Sequence, residues 1–162
     1  MSTMSVYRSA FSSDALATQG LLAALNQGPL LVNYIGHGSE DRWNGIFDNE
    51  DAAGLLNGQR LSFFVNMTCL TGTFDDIYMD PLAEALLTAP NGGALAVWAS
   101  SGLTEPGPQV VMNEELIRQL FNGQGLTIGQ AIARAKAATT DPDVRRIWIL
   151  LGDPATRLKQ IQ

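Results

Sequence analysis

Apolar runs without alternation punctuate this chain, each cut short by glycine and hydroxyl residues. Leu30–Ile35 ends at Gly36-His37-Gly38-Ser39, and Leu61–Met67 ends at Thr68-Cys69-Leu70-Thr71-Gly72. Ala94–Ala99 runs into Ser100-Ser101-Gly102 and a Gly- and Pro-rich stretch reaching Pro108, while Arg146–Leu151 stops at Gly152-Asp153-Pro154. Runs of this length and composition predict strands buried on both faces. Between them the apolar period lengthens to that of a helix. Leu16, Leu21, Leu22 and Leu25 follow the cap-like Ser12-Ser13-Asp14 and halt at Asn26-Gln27-Gly28-Pro29. Further helices are expected over 49–56, closed by Asn57-Gly58, over Leu82–Leu87 with Pro81 in its first turn, and from about Met112 to Phe121. A last one, capped by Thr127, carries Ile128, Ile132 and Ala135 on one face and ends near Ala138. Val6-Tyr7 is at most a scrap of strand, and 100–108 is expected to be an irregular loop.

Strands that alternate with helices argue for a mostly parallel sheet covered by helices on both faces. The chain shows four strands, fewer than such sheets usually carry. Either the chain is a piece of a longer protein, or the sheet's first edge is bare or filled by another copy.

Composition narrows the function classes. At 162 residues, 46% apolar and 16% charged, the chain is one globular domain with room for a real core. A net charge of −6 speaks against nucleic acid or an anionic membrane as partner, and no apolar run approaches the length of a span. Met1–Ser5 lacks the build of a signal peptide. One cysteine forms no internal disulfide, and with one histidine it closes no zinc site.

Those two single residues are the candidate chemistry. His37 and Cys69 each follow the carboxyl end of a predicted buried strand. Parallel neighbours would bring these ends to about 5 Å, on the edge where open α/β sheets do their chemistry. Alone, a cysteine there is usually a small hydrophobe and a histidine in a glycine turn a turn residue. Together, amid small residues that let a substrate approach, they suit a thiol nucleophile beside an imidazole. Backbone N–H groups at Gly38 and Cys69 could serve an oxyanion. Walker A, Rossmann, HExxH and CxxC motifs are missing, and Asp48-Asn49-Glu50-Asp51 lacks calcium-loop spacing. Asp75-Asp76 reads as a capping pair or a cation-binding pair, and Asp153 as a turn former. Trp43 and Trp98 could wall a pocket, although at least one suits the core.

Tyr34-Ile35-Gly36-His37-Gly38-Ser39, Trp43, and Cys69 with Gly72 and Phe74 resemble the gingipain family of caspase-like cysteine peptidases. So do Ala83-Glu84-Ala85-Leu86, Gly93–Ala96, Met112-Asn113-Glu114, Leu151-Gly152-Asp153-Pro154, and the 32 residues from His37 to Cys69. The likeness runs from about Leu22 to Leu158. It implies a caspase-like three-layer sandwich that lacks the first strands of the fold, with residues 1–162 forming a single domain of a longer protein. It implies an endopeptidase in which Cys69 attacks a peptide carbonyl, His37 protonates the leaving amine, and Gly38 and Cys69 N–H hold the oxyanion. Trp98, Ser100 and Ser101 would help wall the substrate pocket. The family's acidic support for the histidine and its specificity residues belong to an earlier part of the domain.

No cofactor is expected beyond the structural calcium some members carry, and the partner is a protein or peptide substrate. The resemblance also implies a secreted or cell-surface protein of bacteria. Two alternatives share the site: a transpeptidase that resolves the thioester with an amine, and a catalytically silent interaction domain. In the silent reading the exposed sheet edge pairs with another chain, as in a homodimer.

Overall fold

The computed structural model describes residues 2–159. A short 3-10 turn at Arg8–Ala10 leads to α1, Asp14–Leu25, whose N-cap Ser13 accepts from the Leu16 amide. Ala17, Leu21, Ala24 and Leu25 are its buried face, while Leu16 lies exposed. The strand β1, Leu31–Ile35, follows, then a small antiparallel sheet of β2 (Gly38–Ser39), β3 (Arg42–Trp43) and β4 (Phe47–Asp48). Next come α2 (Asn49–Ala53), β5 (Ser62–Met67), α3 (Leu82–Thr88) and β6 (Ala94–Ser100). The chain closes with α4 (Pro106–Leu120), α5 (Ile128–Ala138), α6 (Pro142–Ile147) and β7 (Trp148–Leu151).

The main sheet has the order β1-β5-β6-β7. The first three strands are parallel, and β7 runs antiparallel to β6. Side chains alternate across the central strands and so feed two cores. Phe63, Val65, Met67, Ala96 and Trp98 face Met112 and Leu116 of α4 and Ile128, Ile132 and Ala135 of α5. On the other side Phe64, Val97 and Ala99 meet Leu21 and Leu25 of α1, Leu82 and Leu86 of α3, and Trp43 and Phe47 of the small sheet. This is the expected three-layer sandwich with a mostly parallel sheet.

Several expectations change. The first strand is not buried on both faces: β1 is an edge strand with Asn33 and Ile35 exposed. The small sheet was not anticipated, because two-residue strands carry no readable period. The helix at 49–56 ends earlier, with Gly54 as its C-cap. Pro81 is the N-cap of α3, just outside its first turn. Helix α4 begins at Pro106, inside the stretch expected to be irregular. First-turn amides have no intrahelical acceptor, so Pro106 and Pro108 cost nothing there. Arg146 and Ile147 belong to α6, because Asp141 caps that helix by accepting from the Asp143 and Val144 amides and Pro142 sits in its first turn.

Candidate active site

β1 and β5 pair in register from Leu31↔Phe63 to Ile35↔Met67. His37 lies two residues past Ile35 and Cys69 two past Met67, so both leave the same edge of the sheet at matching positions. The two turns are tied directly, the Gly36 amide donating to the Met67 carbonyl at 3.3 Å. His37 is exposed and Cys69 half-buried.

The turn carrying His37 is braced from below. Tyr34 donates its hydroxyl to the His37 carbonyl at 2.7 Å, and the Asn44 amide reaches the same oxygen at 2.9 Å. The Tyr34 ring stacks on Trp43 with centroids 4.3 Å apart and planes 5° from parallel, and Trp43 leans in turn on Phe47 and Phe64. Burial pushes the Tyr34 phenol up to about 12, a hydrogen bond with the Asn44 backbone pulling the other way. It therefore stays a donor at any physiological pH. Asp41, a carboxylate close in sequence, is spent on the loop: Ser39 donates to it at 3.0 Å and Arg42 binds both its oxygens. The Arg42 guanidinium holds the Asp41 carboxyl below its ordinary range.

The turn carrying Cys69 is strained. Leu70 has φ 63°, the left-handed region that an L side chain rarely adopts. Three bonds hold it there: Leu70 N–H to Gly102 O at 3.2 Å, Thr73 N–H to Leu70 O at 2.9 Å, and Thr71 N–H to Cys69 O at 2.8 Å. Gly72 donates to the Ser100 carbonyl at 2.9 Å, and a Cβ there would come within 3.0 Å of the Ala99 Cβ. The Cys69 thiol donates to the Thr104 carbonyl at 3.7 Å. Its hydrogen-bond partner at rest is thus the β6–α4 loop and not the imidazole.

The two expected oxyanion donors stand unengaged. The Asn44–His37 bond makes that pair the hydrogen-bonded one, so the neighbouring pair Gly38↔Trp43 is the open kind and the Gly38 N–H points away from β3. The Cys69 N–H has no acceptor among the described residues.

The expected pocket residues fare differently. Trp98 has no exposed surface and packs on Trp148 at 5.0 Å under α4 and α5, so it belongs to the core and walls no pocket. Trp43 is likewise buried. Ser100 is fully buried, its hydroxyl turned back on the Gly102 carbonyl at 2.8 Å. Ser101 is half-buried and donates both its amide, at 2.8 Å, and its hydroxyl, at 3.0 Å, to Ile147 O. The residues that do reach the site from β6 are Gly102 and Thr104, which sequence reasoning passed over because loop residues carry no period. Tyr34, inside an apolar run, and Thr68, beside the cysteine, were given no role, because what each touches depends on how the turns fold.

Carboxylates do not gather in threes with one another, His or Cys among the described residues, so no calcium set is assigned. Asp48 instead caps α2 in a reciprocal capping box with Asp51, and Asp76 accepts from the Tyr78 amide. Asp153 accepts from the Ala155 amide as the turn it was expected to form. That turn lies at the opposite edge of the sheet, where a Cβ on Gly152 would meet the Ala96 Cβ at 2.7 Å.

Comparison with known proteins fits this geometry. Gingipain R2 of Porphyromonas gingivalis is 29% identical over 161 residues, covering 88% of this chain and 21% of that protein. Gingipain R1 of the same organism is 29% identical, with 88% of this chain and 16% of its own length covered. The chain thus spans about a fifth of the curated relatives it matches. The crystal structure of the Arg-specific cysteine proteinase gingipain R superposes with a TM-score of 0.77 at 29% identity, over 89% of this chain and 37% of that one. A complex of the P. gingivalis RgpB pro- and mature domains gives 0.79 at 24% identity over 89% and 37%, a likeness of fold. The sandwich is therefore the caspase-like one of gingipain R. The model of peptidase family C25 matches residues 2–159, almost every residue described, and the chain belongs to that family.

Proposed function

We propose that this chain carries the nucleophile and general acid of a cysteine peptidase. The observation that supports this most is the matched departure of His37 and Cys69 from paired parallel strands onto one edge. Cys69 passes its thiol proton to His37 as its sulfur bonds to the scissile carbonyl carbon, and the C=O electron pair moves onto oxygen, which the N–H groups of Gly38 and Cys69 hold. The carbonyl re-forms as the C–N bond breaks, and His37 delivers a proton to the departing amine. Water then cleaves the thioester, returning the acid product and the free thiol. For the sulfur to attack, it must leave the Thr104 carbonyl and come within reach of the imidazole; such contacts often tighten only when substrate binds.

The kinship with gingipains supports a secreted or cell-surface protein acting on protein or peptide substrates. Among the described residues no helix is long and apolar enough to cross a membrane. The Arg specificity of the solved relative makes peptides with a basic residue before the scissile bond the first panel to try.

Mass spectrometry after iodoacetamide treatment at neutral pH should show Cys69 labelled, and His37→Ala should slow that labelling. Cys69→Ala should abolish cleavage of any peptide the wild type cuts. A Cys69→Ala protein that still cleaves, or a wild-type thiol indifferent to alkylation, would refute the reading. Added hydroxylamine or an amino-acid amide separates hydrolysis from transfer, since only a transferase diverts its product to the amine.

A further inference from the structure

Thr68 stands between the two turns, and the mechanism above gives it no part. It is 1% exposed, and its hydroxyl has no hydrogen-bond partner among the described residues. Its side chain bears on Gly38: a Cβ built there would lie 2.8 Å from Thr68 Oγ1, 3.1 Å from Thr68 Cγ2, and 2.8 Å from the Arg42 carbonyl oxygen. Gly38 has no positive φ. It is glycine because Thr68 and Arg42 leave no space for a side chain.

An unpartnered buried hydroxyl costs stability that a valine of the same shape would not. What the oxygen offers over a methyl is closeness. Carbon–oxygen contacts settle at about 3.3–3.6 Å, and carbon–carbon contacts at about 3.5–4.0 Å. A methyl at the Oγ1 position would hold Gly38 off by a few tenths of an ångström.

We propose that Thr68 is a positioning residue whose oxygen lets the Gly38 turn sit close enough to the Cys69 turn for their two N–H groups to share one oxyanion. The inference rests on the peptidase reading. It sets Thr68 in the seam between the candidate donors, bonded to one and in contact with the other.

The test uses Thr68→Val and Thr68→Ser with three readouts. Urea unfolding reports stability, iodoacetamide reports the thiol without any oxyanion, and a panel of tripeptide aldehydes reports the oxyanion site. In the aldehyde adduct the sulfur bonds to the carbonyl carbon, the C=O pair moves to oxygen, and the thiol proton passes to that oxygen or to His37. Thr68→Val should match or exceed wild-type stability and alkylate within about twofold of the wild-type rate, yet lose about tenfold in aldehyde affinity, as small misplacements at reacting centres do. Thr68→Ser should be the less stable variant and still bind aldehyde within about threefold of wild type, since it keeps the oxygen that sets the distance. Stability and aldehyde affinity would then rank in opposite orders, which plain core packing cannot produce.

Aldehyde binding by Thr68→Val equal to wild type overturns the proposal, as does a loss in Thr68→Ser as large as in Thr68→Val. If Thr68→Val does not fold, Thr68→Ser alone decides: aldehyde affinity within about threefold of wild type despite its lower stability supports the proposal, and a larger loss overturns it. A wild type that alkylates but captures no aldehyde sinks the oxyanion assignment and Thr68 with it. A wild-type thiol that accepts neither reagent sinks the peptidase reading itself.

Discussion

Tyr34 shows how one side chain in an otherwise apolar run can decide the placement of another. Its ring is held by Trp43 and its hydroxyl holds the His37 carbonyl, so Tyr34→Phe removes the brace while keeping the stack. Losing that bond should cost about 1 kcal/mol of stability and slow peptide cleavage several-fold, with the circular dichroism spectrum unchanged. The pH behaviour carries a sharper signature. The folded protein keeps the phenol protonated up to about 12 against an ordinary 10.0, so it binds this proton more tightly than the unfolded chain does. Its share of stability is intact below pH 10 and is lost as pH rises from 10 to about 12. Urea midpoints taken across the alkaline range should therefore fall less steeply in Tyr34→Phe than in wild type; parallel curves would refute the assignment.

At the scale of elements, the edge opposite Cys69 is fastened by a buried polar residue. Asn57 donates its side-chain amide to the carbonyls of Arg60 and Gly93, both at 2.9 Å, and accepts from the Gly93 amide at 2.7 Å. It thus joins the turn entering β5 to the turn entering β6. Asn57→Ala orphans the buried amide and carbonyl of Gly93 and frees the part-buried carbonyl of Arg60, and should lower unfolding free energy by about 3 kcal/mol. The iodoacetamide rate of Cys69 in the folded variant should stay at the wild-type value, because the staple lies at the far end of the strands.

Much of this layer was legible in the chain itself. Phe63–Met67, apolar but for Asn66, and Ala94–Ala99 read as central strands, and both are central. Thr127 announces α5 as its cap, and the structure adds Gln130, whose side chain completes a reciprocal capping box. What stayed hidden depends on contacts distant in sequence. Leu31–Ile35 reads like a central strand but is an edge. Trp98 follows the same rule as its neighbours and so looked free to line a pocket, whereas Trp148 had already claimed it. The Cys69 and His37 placements were foreseeable from register alone. The thiol's attachment to Thr104 was not, since it depends on how the β6–α4 loop folds back.

For the molecule as a whole, the outer side of β1 is the feature that most invites company. No strand pairs with it among the described residues, and Ile35 on it is 66% exposed. Unpaired strand edges recruit other strands unless charge or proline blocks them. Sedimentation velocity at rising concentration should therefore show a species of twice the mass, and Ile35→Lys should reduce it without lowering the urea midpoint. A chain that stays monomeric at the highest soluble concentration would refute that edge as a self-association surface.

The placement of the indoles has an optical consequence. Trp43 lies under the hairpin that positions the imidazole, while Trp98 and Trp148 share the opposite core. A Trp98→Phe, Trp148→Phe protein would fluoresce from one site alone, quenched or released as Tyr34 moves against it. Such a protein would signal the motion of the histidine turn by itself, in real time and with no attached dye.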